Sequence, residues 1–374
     1  MTETDTATSA SAYARVRYRL LLIRLGASAG FLSALQLTGW SHAIARWWSA
    51  RAANDPLIIL GYLAAVGPLY YLAMFPLHAY SSFVIEHRFG LSRMTLTRWG
   101  IRELKQIGLS LLLGTALVEG FYALLRVTPE HWPLWATAGW VGISIVLTRV
   151  FPTVVLPLFY KTTPLQNAAL TQRLLALAQR AGLPALGVFR FDLGAETRKA
   201  NAALAGLGKT RRILLSDTLL SGFPPDEIEG VLAHELAHHR YHHLVLMLAL
   251  SAIGSWLALS LTKIVGARAV VLAGLQGLSD IAGYPLFMLW LSLLTFVSSP
   301  LPQGLSRQFE WQADRFAVAH TQPPHAFAGA LRRLAQLNLA DPNPPRWIVW
   351  LFYDHPPIAD RIRAAEALAL TSRE

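Results

Sequence analysis

The sequence predicts a mainly α-helical, polytopic membrane protein with about six transmembrane helices and a small α+β domain on the cytoplasmic side. Three observations predict it. Of the 374 residues, 53% are hydrophobic and only 15% are charged, against roughly 25% charged in a soluble domain. Six largely apolar stretches approach or exceed about 20 residues, the length a helix needs to cross a bilayer. Arg and Lys gather in alternate connections between those stretches. The positive-inside rule then puts both termini in the cytoplasm, which requires an even number of spans. The net charge of +11 would suggest a nucleic-acid partner in a soluble protein. Here it belongs to the cytoplasmic loops, and no nucleic acid is expected. The absence of Cys excludes a disulfide framework, a Cys metal site and a Cys nucleophile.

In chain order, residues 1–16 are expected to form a disordered tail, because the first fourteen are small and polar and lack the basic-then-apolar order of a signal peptide. Residues 17–160 form a membrane region with four spans, at about 20–40, 57–83, 107–125 and 134–159. Residues 161–374 form a second unit. Its parts 161–243 and 301–374 are cytoplasmic, and two spans, about 244–265 and 281–300, lie between them. Trp40, Trp47, Trp48, Trp132 and Trp135 fall where an outer aromatic belt belongs. Glu119 and Arg149 lie inside spans. A charge facing lipid costs at least ~2.5–3.5 kcal/mol, so each should face other helices or a wet cavity. They fit a polar chamber, and equally a structural pair or a snorkelling end.

In the second unit, Leu174, Leu175, Leu177 and Ala178 suggest a helix. Residues 187–191 alternate as a strand does, and residues 212–216 read as another strand after a Gly206/Gly208 turn. Pro224-Pro225-Asp226-Glu227 has the Pro and acids of a helix start. That helix carries His234-Glu235-Leu236-Ala237-His238. Residues four apart share a helix face, so His234 and His238 can aim at one point. Two imidazoles, one more protein ligand and a water make an open, catalytic zinc site. Glu235 is placed to act as general base. Because the pentapeptide also occurs by chance and His239, His242 and His243 crowd the region, the run alone also fits a solvated, His-rich helix.

A third ligand is available after the sixth span. Glu310 and Asp314 lie one turn apart in a helical pattern. This spacing suits a carboxylate ligand and a second acid that accepts the far N–H of His234 or His238. The alternative is a solvated acidic pair balanced by Arg307 and Arg315. Near the end of the chain, His355 in a Pro-stiffened turn can point a donor at a developing oxyanion. Arg361 can hold a carboxylate of Glu310 or of a substrate. By spacing alone, a plain helix-start turn explains both equally well.

These residues together resemble the integral-membrane type I CaaX prenyl proteases, zinc metallopeptidases with a glutamate third ligand. The resemblance covers about residues 76–366. It rests on His234-Glu235-Leu236-Ala237-His238, on Glu310-Trp311-Gln312-Ala313-Asp314 and on the loop from Phe83 to Ser92. It also rests on Pro157 to Leu165, on Asn201-Ala202 with Gly206, Leu207, Gly208, Lys209 and Ile213, and on His355-Pro356-Pro357 with Arg361. It implies that His234, His238 and Glu310 bind one Zn2+ per chain and that Glu235 activates water. It implies that His355 stabilises the oxyanion and Arg361 steadies the site. Asn201 and Ala202 would hold the substrate as an added strand, and the spans would enclose a water-filled chamber. Partners implied are a peptide or prenylated protein and the lipid bilayer. Two features depart from the family pattern. There are six spans where better-known members have seven, and Lys199-Ala200 stands before Asn201. A broad-specificity quality-control protease is a second reading, and a transporter or channel with a structural zinc site is a third.

Overall fold

A computed structural model describes residues 3–206 and 211–371. Among these described residues, six helices are long and apolar enough to cross a membrane. The first, α1 (Glu3–Leu37), ends where Gly39 turns left-handed at φ 77°. A short amphipathic helix, α2 (Trp40–Ser49), follows, with Trp40 and Trp47 exposed. Then come α3 (Asp55–Arg88), α4 (Leu96–Val127) and α5 (Trp132–Phe159). Local chemistry sets their ends. Asn54 accepts from the Leu57 N–H at the start of α3, and Thr95 from the Arg98 N–H at the start of α4, each satisfying an orphan donor of the first turn. A π turn at Tyr80–Val84 follows Pro76, which lacks the N–H for a regular ladder.

The expected tail at 1–16 is corrected by the structure. Helix runs from Glu3, and Ala10, Tyr13 and Ala14 are buried. Tyr13 packs edge-on to Phe89 at 5.2 Å and bonds to Glu86. Small polar residues look like a tail, but several are Ala, the best helix former, and the helix only propagates from a span already nucleated.

The second unit contains a four-stranded sheet in the order β1-β2-β4-β3. Its strands are β1 (Thr162–Pro164), β2 (Val188–Phe191), β3 (Ala202–Ala205) and β4 (Arg212–Ser216). β2 and β4 are parallel and joined by a crossover; β1 and β3 are antiparallel edges. Both strands expected from the sequence are present. Gly206 has the left-handed φ of 92° that the expected turn needs, while Leu207, Gly208 and Lys209 lie outside the described residues. The strand period of two sends alternate residues to opposite faces. Ile213 and Leu215 enter the main core with Leu174, Leu177, Ile228 and Leu232. Leu214 points the other way, to Phe191 and to Leu156 at the end of α5. The sheet therefore welds the membrane region to the core.

Around it stand α6 (Ala168–Arg180), α7 (Asp217–Gly222) and α8 (Pro225–Arg240). Two spans follow: α9 (His243–Leu272), then α10 (Tyr284–Ser298) behind a single 3-10 turn, Ile281–Gly283. After them come α11 (Pro300–His320), α12 (Ala326–Asn338), α13 (Arg346–Phe352) and α14 (Ile358–Thr371). The apolar cores of the spans are thinly packed on one another. That of α9 has 0% of its residues buried, and the best, α3, has 22%. Glu119 is half-buried and Arg149 exposed.

The loop after α3 docks the two halves together. The Arg93 N–H donates to the Glu196 carbonyl at 2.8 Å, and Thr197 Oγ1 to the Leu91 carbonyl at 2.9 Å. Arg102 pairs with Glu196, and Lys199 with Glu86 at 2.9 Å.

Close packing of α8 on α12 requires Gly230. A Cβ there would lie 3.1 Å from Phe327 Cα, a backbone atom that cannot step aside. Gly230→Val should cost about 1–3 kcal/mol through overpacking, read as a lower unfolding temperature of the purified protein.

Candidate active site

Two helices build the site. In α8, acids Asp226 and Glu227 sit in the first turn and an apolar stripe through Ile228, Leu232 and Leu236 faces the core. That face fixes the rotation of α8 and turns His234 and His238 toward α11. The second helix, α11, is continuous in direction of travel with the sixth span. Ser299 joins the two in helical conformation at φ −54° and ψ −34°. Glu310 and Asp314 occupy its buried face.

The side chains meet. His234 Nε2 lies 3.4 Å from Glu310 Oε2, and His238 Nε2 lies 3.2 Å from Glu310 Oε1. The two Nε2 atoms are 3.2 Å apart. One ligand atom from each of the three residues falls within 4.8 Å of the others. Glu310 Oε2 is buried and has no hydrogen-bond partner among the described residues. Two imidazole lone pairs and a buried carboxylate oxygen this close together repel unless a cation sits among them, so the donor set fits a metal ion. Two nitrogens and one oxygen suit zinc and leave a position open.

The surroundings orient these donors. The His234 Nδ1–H donates to Asp314 Oδ1 at 2.9 Å, which leaves Nε2 facing the cluster. Arg361 grips Asp314 with two bonds, Nε to Oδ2 at 2.8 Å and Nη2 to Oδ1 at 2.7 Å. Its Nη1 lies 3.3 Å from Glu310 Oε2. Burial opposes charge on both acids, but His234 and His238 hold Glu310 far below the usual carboxylate range. His234 and Arg361 likewise hold Asp314 low. Burial would lower the His234 pKa, yet without a metal ion Asp314 and Glu310 prevail and raise it to about 9, so a cation binding there has to displace a proton from Nε2.

His238 is oriented by residues the motif did not reveal. His243 Nδ1 lies 3.1 Å from His238 Nδ1, and His243 Nε2 lies 3.0 Å from Gln312 Oε1. With Gln312 accepting from His243 Nε2–H, His243 Nδ1 accepts from His238 Nδ1–H, and His238 Nε2 keeps its lone pair. The opposite polarity would protonate His238 Nε2 and spoil it as a donor. His243 is reached because His242 adopts a left-handed φ of 57° between α8 and α9, and its ring stacks on Phe309 at 4.1 Å. The crowding of His residues was the signal; their pairing needed the turn.

Glu235 lines a cavity of about 240 Å³ with His234, His355, Arg361, Asn201 and Ala202. Burial pushes its pKa up, as suits a proton acceptor. His355 Nε2 is 3.3 Å from Glu310 Oε1, and its Nδ1 is 2.7 Å from Asp354 Oδ1. Partial burial opposes its charge, but Asp354 and Glu310 prevail and raise its pKa. Asn201 turns its backbone to β4, where its N–H donates to Ser216 Oγ and its carbonyl accepts from the Ser216 N–H. Every residue predicted for the site therefore stands in one cluster or on the cavity beside it.

The chain is similar to known proteins over most of its length. The model of peptidase family M48 matches residues 164–369. A second, the CAAX prenyl protease N-terminal region with five membrane helices, matches residues 1–161. In that region the described residues of this chain hold four spans. The CAAX prenyl protease 1 homolog of Oryza sativa subsp. japonica is 30% identical, covering 84% of this chain and 75% of that protein. CAAX prenyl protease 1 of Saccharomyces cerevisiae is 28% identical over 86% of this chain and 74% of its own length. The uncharacterized metalloprotease YhfN of Bacillus subtilis is 28% identical, over 89% and 79% respectively. The crystal structure of S. mikatae Ste24p has the same fold, with a TM-score of 0.85, 24% identity and coverage of 97% of this chain and 89% of that one.

The imidazole relay can be tested directly. His243→Phe keeps the stacking on Phe309 but removes the acceptor. Metal affinity, measured by competition with a chelator, should fall about 10–100-fold, the usual cost of losing an outer partner.

Proposed function

The chain belongs to peptidase family M48, and from that premise we propose that it is an integral-membrane zinc metalloendopeptidase acting near the C-terminus of CaaX-type prenylated proteins or peptides. The observation that carries this reading is the convergence of His234, His238 and Glu310 within 4.8 Å, with Glu235 and a strand edge on the adjoining cavity. The substrate class follows the CAAX prenyl protease 1 relatives from rice and yeast.

His234, His238 and Glu310 would hold the zinc ion, which would supply Lewis acidity toward the scissile carbonyl and lower the pKa of a water. Glu235, its pKa raised by burial, takes the proton of the attacking water and delivers it to the leaving amine. His355 donates to the carbonyl oxygen as charge develops on it. Asp314 and Arg361 fix the His234 tautomer and neutralise the buried acids. Asn201 and Ala202 receive the peptide as an added strand.

The site lies on the cytoplasmic side in this reading, because the basic loops flank the peptidase segments. The chain has no Cys, so one introduced at exposed Arg332 reports sidedness cleanly. In sealed right-side-out vesicles it should resist an impermeant maleimide until the membrane is permeabilised; immediate labelling would reverse the orientation.

Chemistry is tested with a farnesylated CaaX peptide and an unprenylated control. Glu235→Gln should retain zinc while cleavage falls by at least about 10²-fold, the scale of a lost acid–base residue. Glu310→Ala should lose the metal. A zinc chelator should abolish wild-type cleavage. Equal cleavage of both peptides would replace the CaaX assignment with broad proteolysis.

A further inference from the structure

His355 is the site residue least held by packing, and a pair of hydroxyls from two distant segments stands beside it. His234, Glu235 and Glu310 ride on helices of the core. His355 instead stands on the turn between α13 and α14, with half of its side chain exposed. Asp354, which meets its Nδ1, is more exposed still. The place of the imidazole is therefore set by its backbone. Downstream, Pro356 and Pro357 fix φ at two successive residues, and Arg361 fastens α14 to Asp314. Upstream, Tyr353 holds the turn at two points. Its carbonyl accepts from Arg307 Nη1 at 2.7 Å, one turn before Glu310 on α11. Its hydroxyl lies 2.6 Å from that of Tyr18 on α1. Tyr18 spends its one proton on Asp341 Oδ2 at 2.9 Å, so Tyr353 donates to Tyr18 and Tyr18 to Asp341.

We propose that Tyr18 is a positioning residue: through Tyr353 it holds His355 where a developing oxyanion receives its N–H. The proposal rests on the peptidase reading above, with His355 as the oxyanion donor. At most about 7 Å of chain separates Tyr353 from His355, and the two prolines leave the turn little freedom to absorb a shift. With the hydroxyl pair broken, Tyr353 keeps only its carbonyl bond to Arg307. One bond lets the chain pivot, whereas two bonds to different helices do not. Placement of the donor matters steeply, because a displacement of about 1 Å can cost about 10²-fold in rate. No described residue of α1 lines the cavity. The first span therefore acts on the chemistry from outside it, through one hydroxyl.

The test uses the full-length protein in lipid nanodiscs and a farnesylated CaaX peptide. Tyr353→Phe removes the link but leaves the Tyr18–Asp341 bond and the Arg307 contact in place. Its kcat should fall about three- to tenfold, the scale of one neutral hydrogen bond expressed as a rate, with KM and zinc content at wild-type values. Tyr18→Phe should lower kcat by at least as much, and the double variant by no more than Tyr18→Phe alone, because the same bond is lost in each. In a His355→Ala background, adding Tyr353→Phe should leave the residual kcat unchanged. Wild-type kcat in both single Tyr variants would overturn the proposal. So would an undiminished effect of Tyr353→Phe in the His355→Ala background, or a loss that follows zinc content, since either marks a role in the scaffold alone. If His355→Ala keeps the wild-type kcat, the oxyanion reading fails and the proposal falls with it. If the wild-type protein does not cleave, the peptidase reading itself fails.

Discussion

Two carboxylates buried one helical turn apart govern the rest of this structure. Glu310 and Asp314 are each nearly inaccessible to solvent, and a buried charge is costly unless paired and hydrogen-bonded. One guanidinium, Arg361, meets both, but its two best bonds go to Asp314. Glu310 is left with an unpartnered oxygen among imidazole nitrogens. That oxygen, which Arg361 Nη1 approaches at 3.3 Å without a hydrogen bond, makes the cluster a candidate cation site. It also explains why three distant segments must be brought together: α8, α11 and the start of α14 each supply part of the balance.

The membrane region does more than anchor this cluster. Glu310 rides on a helix that continues the sixth span, and His243, which orients His238, is the first residue of the fifth. Tyr18 of the first span bonds to Tyr353 at 2.6 Å, two residues before His355. Leu214 of the central strand packs on Leu156 at the end of the fourth. Each part of the site is thus fixed by contacts to a different membrane helix. Loss of those contacts would disturb the chemistry without altering any residue of the motif.

The candidate site also shares one open space. The strand edge, the cavity floor at Glu235 and the donor at His355 line it. Recognition through main-chain bonds tolerates varied side chains, and a peptide lying there would meet the apolar wall of Val231, Phe327 and Leu331.

The sequence by itself determined the number of spans, because about 20 apolar residues per crossing is a constraint no tertiary contact can change. It pointed to the candidate metal donors too. His234 and His238 share a face by helical period, and Glu310 and Asp314 repeat the one-turn spacing on a second helix. Strands 187–191 and 212–216 were legible from alternation. Tertiary structure alone decided the rest. Residues 3–16 look like a tail until Tyr13 and Ala10 find Phe89, Ile85 and Leu91. His243 becomes a partner of His238 only through the left-handed turn at His242. Tyr18 and Tyr353 pair only because folding sets together residues 335 positions apart in the chain. Local periodicity encodes which face a residue takes; which distant group meets that face is settled by packing.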